Sequence, residues 1–244
     1  MFKTVRALVL REVKYKEADR ILTVLTESDG KQTLKAQGAL RKSSKYGAAT
    51  QVLTFSELTV FGNQGRWSVR EGMVLEEFQG LRTDLEAMAV AAYLCEVLET
   101  AADEDVPNPA MLQLGLNCLY ALSRGLCTPE RVKAVFELRL ACLTGYAPNL
   151  QDCVLCGEVT DVMHFSPSKG GLVCGRCARY GNDVISPDCL QAMRFVASAP
   201  AKKIFSFQLT GDAAREFSVN CELYLLSQLE RNFPSLDYYK RIKG

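Results

Sequence analysis

Two cysteine pairs, Cys153-Val-Leu-Cys156 and Cys174-Gly-Arg-Cys177, constrain this chain more than any other feature. Each CxxC turn can aim two sulfurs at one point. Residues 157–173 between the pairs include Gly157, Gly170 and Gly171, which suit the tight turns of a knuckle. The spacing lies within the range of four-cysteine zinc sites. Four thiolates leave no open coordination position, so Zn2+ held here would be structural and its binding energy would become local folding energy. An iron–sulfur cluster uses similar donors and stays open as a rival. A redox CxxC needs a βαβ setting, which the flanking sequence does not suggest. His164, the one histidine, lies between the pairs and could replace a thiolate, but four cysteines suffice without it.

The remaining six of the ten cysteines (Cys95, Cys118, Cys127, Cys142, Cys189 and Cys221) stand singly among apolar residues and read as small core hydrophobes. Ten cysteines would mean disulfides in a short secreted chain. This chain has 244 residues, and its apolar start, Ala7-Leu8-Val9-Leu10, is too short for a secretory signal. The uncharged stretch Val106 to Ser123 contains Pro107, Pro109, Gln113, Gly115 and Asn117 and reads as a buried helix rather than a membrane span. The expected location is the cytoplasm, with no membrane partner. Motifs for a P-loop, a zinc protease or a dinucleotide site are absent from the sequence. Ser166-Pro-Ser-Lys169 matches a bare SxxK but lacks the companion motifs of that chemistry. No residue set argues for an enzyme.

The first eighty residues read as strands over 5–10, 21–26, 32–37, 52–61 and 66–75, with Asp29-Gly30 as a hairpin signal and a turn at Gly62-Asn63-Gln64-Gly65. Five strands with a long connection after the third suit a small closed barrel, an OB-fold or, from periodicity alone, an SH3-like barrel. The connection, Gly38 to Gly47, is basic and aperiodic and is expected to be a mobile loop. Beyond residue 80 the period becomes helical, with helices expected over 84–102, 109–123, 128–144, 186–198 and 212–232. Thr128-Pro129 and Ser186-Pro187 are N-cap and first-turn signals. The class is therefore multidomain α+β: a barrel over 1–80 and a helical domain over 81–244 that contains the cysteine insert at 150–180.

Charge is uneven. Residues 1–50 carry eleven basic and five acidic side chains, whereas 81–150 carry five and nine. The basic head offers Arg6, Arg11, Lys14, Lys16, Arg20, Lys31, Lys35, Arg41, Lys42 and Lys45, interleaved with Tyr15 and Tyr46. Such cations neutralise phosphates and release counterions, and aromatic faces stack unpaired bases. The same residues could instead simply solvate strand faces, and Trp67 fits the core as well as a stacking surface.

Several words extend this pattern: Val9-Leu10-Arg11, Tyr15-Lys16-Glu17-Ala18-Asp19-Arg20-Ile21-Leu22, Thr26-Glu27-Ser28-Asp29-Gly30, Gly38-Ala39 through Lys42-Ser43-Ser44, and Ala147-Pro148-Asn149-Leu150 just before Cys153. With the cysteine quartet, and in this order over nearly the whole chain, they resemble the RecO family of bacterial recombination mediators. The resemblance implies an OB-fold barrel, binding of single- and double-stranded DNA, and annealing of complementary strands without ATP. It also implies a partnership with RecR in loading RecA onto single strands coated by SSB, and a location at the nucleoid. Some members lack the knuckle. Some hold the acidic C-terminal tail of SSB on the helical domain, where Arg124, Arg131, Lys133, Lys202 and Lys203 are the candidate cations. The alternative is a zinc-stabilised protein–protein adaptor without direct DNA binding.

Overall fold

A computed structural model describes residues 1–63, 66–178 and 184–243. The expected turn at Gly62–Gly65 therefore falls partly outside the described residues. Five strands, β1 (Phe2–Tyr15), β2 (Asp19–Thr26), β3 (Gly30–Ala36), β4 (Phe55–Asn63) and β5 (Arg66–Glu76), close into a barrel of order β1-β2-β3-β5-β4. Closure comes from antiparallel β1–β4 pairing, with Phe2 opposite Phe61, and from a short parallel contact of Leu34 with Trp67 and Lys35 with Ser68 between β3 and β5. This is the OB arrangement, and it removes the SH3-like alternative. The long β1 can serve both β2 and β4 because a register shift between Val9 and Arg11 bends it.

Inward alternation supplies the core: Val5, Ala7 and Val9 from β1, Leu22 and Val24 from β2, Leu34 and Ala36 from β3, Leu58 and Val60 from β4 and Val69 from β5. Each buried Val or Leu is worth about 1.5–3 kcal/mol over an exposed one. At the Asp29–Gly30 hairpin Gly30 has φ +66, and a Cβ there would lie 2.2 Å from the Val106 carbonyl oxygen, so only glycine fits.

The outward-facing Leu8, Leu10 and Leu25 are also buried. Helices α1 (Leu85–Ala101) and α2 (Pro109–Ser123) pack over this wall. Asp84 and Asn108 cap them, accepting from Ala87 N and Met111 N at 3.0 Å each. A third helix joins them from the far end of the sequence. The chain leaves its penultimate helix at Glu230, whose φ of +48 ends that helix earlier than the expected Asn232, and then forms a final helix at Pro234–Lys243 that the sequence reading did not anticipate. Phe233 meets Tyr93 edge-on at 5.7 Å, and Glu96 accepts from Ser235 N at 3.1 Å.

The first compact unit is thus Met1–Leu126 with Phe233–Gly244, and the second is Cys127–Asn232. The boundary expected near residue 80 falls inside the first unit. The second unit is built on α3 (Pro129–Leu143), the hairpin of β6 (Met163–Ser166) and β7 (Gly171–Cys174), α4 (Pro187–Ser198) and α5 (Gly211–Leu229). The final helix is α6. No described helix is long and apolar enough to cross a membrane.

Candidate metal centre and nucleic-acid interface

The four thiols of Cys153, Cys156, Cys174 and Cys177 converge, with all sulfurs within 4.8 Å of one another. Local chain geometry aims them. Gly157, with φ +74, lets its N–H donate back to Cys153 O at 2.8 Å. On the other side Cys177 N donates to Cys174 O at 2.9 Å. Val154 N donates to Leu172 O at 2.9 Å and ties the first turn to β7. Asn149 anchors the entry: its backbone pairs with Gly170 and Leu172, while its side chain binds Asp152 Oδ1 at 2.8 Å and Gln151 N at 2.9 Å. A Cβ on Gly171 would stand 2.3 Å from Asn149 O, so glycine is required for this approach. Arg176 and Glu158 form an ion pair beside the cluster.

Sharing one corner forces the thiols apart in acidity. Backbone N–H groups, first of Cys174 and then of Leu155 and Cys156, bring Cys153 down to about 6. Hydrogen bonding with Cys156 and Cys174 pushes Cys177 up to about 12, and hydrogen bonding with Cys153 raises Cys156. Four sulfurs can all ionise together only around a cation, so the donor set fits a metal ion. The quartet is the one such cluster among the described residues, and His164 is not part of it. His164 instead sits in β6 opposite Val173. Of the isolated cysteines, Cys95, Cys118, Cys189 and Cys221 are buried, whereas Cys127 and Cys142 are only half-buried; burial pushes Cys95 and Cys189 up to about 12.

The basic head divides into two groups. In the first, cations are engaged within the protein. Arg11 Nε lies 2.8 Å from Glu99 Oε1, and Lys31 Nζ donates to Glu99 O at 2.9 Å. Arg20 pairs with Glu12 at 3.2 Å and donates to Thr50 O at 3.2 Å. Lys35 pairs with Asp19 at 3.2 Å, and Arg6 with Glu57 at 3.5 Å. In the second group, Lys14, Lys16, Arg41, Lys42 and Lys45 are exposed and have no ion-pair partner among the described residues. Tyr15, 44% exposed, lies among them with Lys16 and Lys35 about its ring.

The connection expected to be a mobile loop is a pinned arm. Gly38 N donates to Asp19 Oδ1 at 2.8 Å and Leu40 N to Ala18 O at 3.0 Å, while Ala39 and Ala49 enter the barrel core. Tyr46 packs on that core and donates its hydroxyl to Gln37 O, so it anchors the arm rather than offering a free face. Trp67 likewise packs on the core, with Lys3 Nζ 4.1 Å from its ring centroid. Little of the outer face of β2 is open, because Thr23 and Leu25 are buried.

In the helical unit two candidate cations are spent internally. Lys133 is buried between Glu137 at 3.0 Å and Glu222 at 2.9 Å. Burial opposes its charge, but the two carboxylates outweigh burial and raise its pKa. Arg131 donates to the carbonyls of Phe205 and Phe207 and stacks on the Phe207 ring at 4.3 Å. Lys202 and Lys203 remain exposed, as does Arg124 in the first unit. Lys133 and Glu137, at i and i+4 among the apolar residues of α3, were the signal that could have revealed this buried set.

Comparison with known proteins agrees along the whole chain. Residues 1–78 match the family described as Recombination protein O N terminal, and residues 82–237 match Recombination protein O C terminal. The DNA repair protein RecO of Acetivibrio thermocellus is 34% identical over 238 residues, which cover 96% of this chain and 95% of that protein. The DNA repair protein RecO of Listeria monocytogenes serotype 4b is 34% identical over 170 residues, covering 70% and 66%. That of Symbiobacterium thermophilum is 28% identical over 246 residues, covering 98% and 97%.

Proposed function

Because the chain belongs to the RecO family of DNA repair proteins, we propose that it is a non-enzymatic recombination mediator. It binds single- and double-stranded DNA and anneals complementary strands without ATP. With RecR it helps RecA load onto SSB-coated single strands. The observation that carries this reading is the set of exposed cations without an ion-pair partner among the described residues: Lys14 and Lys16 flank Tyr15 at the end of β1, and Arg41, Lys42 and Lys45 lie on the arm, whose Leu40 N donates to Ala18 O just beyond them. Two strands approaching each other repel through their phosphates. A surface of fixed cations screens that repulsion and releases counterions while the bases pair. Nothing in that step consumes a nucleotide. Arg6, Arg11, Arg20 and Lys35 act less directly, since a phosphate must compete with a carboxylate for each.

The metal held by Cys153, Cys156, Cys174 and Cys177 is Zn2+ in this reading, because closed thiolate quartets on knuckle spacing suit it. It keeps the insert folded and takes no part in DNA chemistry. Of the candidate cations for the acidic tail of SSB, Lys202 and Lys203 of the second unit are left to meet it, with Arg124 belonging to the first unit. The protein works in the bacterial cytoplasm, at the nucleoid.

Anisotropy of a labelled single-stranded oligonucleotide across a salt series tests the reading. Changing Arg41, Lys42 and Lys45 together to alanine should remove up to three phosphate contacts. The slope of log affinity against log salt should then flatten by about 2. An unchanged slope would remove the arm from the interface. Absence of binding by the intact protein even at low salt would leave the adaptor reading, which the internal pairing of Arg6, Arg11, Arg20 and Lys35 favours.

A further inference from the structure

The barrel wall is covered unevenly. Along β1 and β2 the outward Leu8, Leu10 and Leu25 lie beneath helices, whereas the wall formed by the start of β1, β4 and β5 is open. On that open wall Phe2 is 64% exposed and pairs across the strands with Phe61, the ring centroids 4.9 Å apart and the planes at 53°. A cation is brought to the same rings by a bulge. Thr59 pairs with Glu71 and Val60 with Val69, which leaves Arg70 between them without a cross-strand partner. Bulges re-aim side chains, and the Arg70 guanidinium lies 5.4 Å from the Phe61 centroid. Arg66, exposed, shares this face of β5. The next row is polar, with the hydroxyls of Thr4 and Thr59 3.4 Å apart, and the row after it is the Arg6–Glu57 pair.

We propose that Phe2, Phe61, Arg66 and Arg70 form a stacking platform for unpaired bases of single-stranded DNA, separate from the cations of the arm. The inference deepens the mediator reading and rests on it. Bases of any sequence present a π-face to exposed aromatic rings, and arginine adds a cation–π and phosphate contact. A protein partner would call for a broad contiguous apolar patch. Here the apolar area is two rings wide and is cut off from Met73, which lies in the Arg6–Glu57 row, by the polar row of Thr4, Thr59 and Glu71. The platform adjoins the arm along β5: a Cβ on Gly72, two residues from Arg70, would stand 3.1 Å from Tyr46 Cβ. A strand held by the arm can therefore lay its bases on the platform, where they stay unpaired and open to a complementary strand.

The test uses the full chain and two oligonucleotides of equal length and charge, oligothymidylate and its abasic counterpart. Trp67, the chain's single tryptophan, packs over Gly62, next to Phe61, and reports occupancy by its fluorescence. Oligothymidylate should quench it and the abasic strand should not. Phe2→Ala and Phe61→Ala should each weaken oligothymidylate binding by about fivefold to a hundredfold. Both should leave the salt slope and the affinity for the abasic strand unchanged. Phe2 is exposed, so Phe2→Ala should keep the wild-type circular dichroism and melting temperature and serves as the variant that must fold. Equal affinity of the wild type for both strands, or Phe2→Ala binding oligothymidylate as the wild type does, overturns the platform while leaving the arm in place. Failure of both strands to bind would instead sink the mediator reading beneath it.

Discussion

The arm of residues 37–54 and the knuckle of residues 151–178 are both long stretches with little regular secondary structure, yet they are secured by different means. The arm is held by what the barrel already offers. Ala39 and Ala49 fill its core, Tyr46 covers it, and one carboxylate, Asp19, accepts from Gly38 N at 2.8 Å. The knuckle divides: its apolar residues Leu155, Val159 and Val162 near the cysteine turns are exposed, whereas Met163, Phe165, Leu172 and Val173 of the β6–β7 hairpin are buried. Its centre is four thiols, one driven toward ionisation and two away from it. Packing alone can order the first segment. In the second, packing holds the hairpin, and the thiol-bearing turns are what a bound cation would stabilise.

The widest gap between the two should open when metal is withdrawn. Metal analysis should find one ion per chain, and a chelator should expose the thiol-bearing turns within residues 151–178 to proteolysis while the Trp67 emission of the barrel unit stays constant. Structural zinc in finger peptides is worth on the order of 10 kcal/mol, so partial protection of the stripped turns would show that packing holds them after all. Next in size is Lys133→Met. It leaves the buried carboxylates of Glu137 and Glu222 without their cation and should destabilise the helical unit by about 3–5 kcal/mol in urea unfolding. Replacing all three by apolar residues should restore most of that loss.

A smaller effect belongs to the arm. Asp19→Ala should speed tryptic cleavage after Arg41, Lys42 and Lys45 without altering cleavage of the knuckle. The pH dependence follows in sign. The N–H of Gly38, and after it Lys35, hold the Asp19 carboxyl below its usual range. Because the folded value lies below the unfolded one of about 3.9, the contact stabilises the arm at any pH above that. It is lost as pH falls through the lowered value. Amide exchange of Gly38 that already opened near neutral pH would contradict this. The smallest change expected is from Glu99→Gln, which frees half-exposed Arg11 for phosphate. Exposed pairs contribute roughly 0–1 kcal/mol, so oligonucleotide affinity should rise by less than about fivefold, and a fall would remove Arg11 from the interface.

The contrast also explains what could be read in advance. The quartet was legible because its ligands lie within one short segment, and spacing alone says they can meet. The helix starts at Pro109, Pro129 and Pro187 were legible for the same reason, since caps are local. The fate of the basic residues was not. Arg11 finds Glu99, and Lys133 finds Glu222, across distances in sequence that no local pattern spans. The platform escaped notice because Phe2 lies at the very start of β1, outside the expected strand at 5–10, and joins Phe61 only when the barrel closes.

By itself, then, the order of residues determined the elements whose causes are local: alternation for the strands, caps and periodicity for the helices, and thiol spacing for the metal corner. Tertiary structure alone decided which cations stay free, which wall of the barrel stays open, and that α6 returns to pack against α1. The physical reason is that periodicity and capping act over a few residues, whereas Coulomb pairing and burial depend on distances in space, which exist only once the chain has closed.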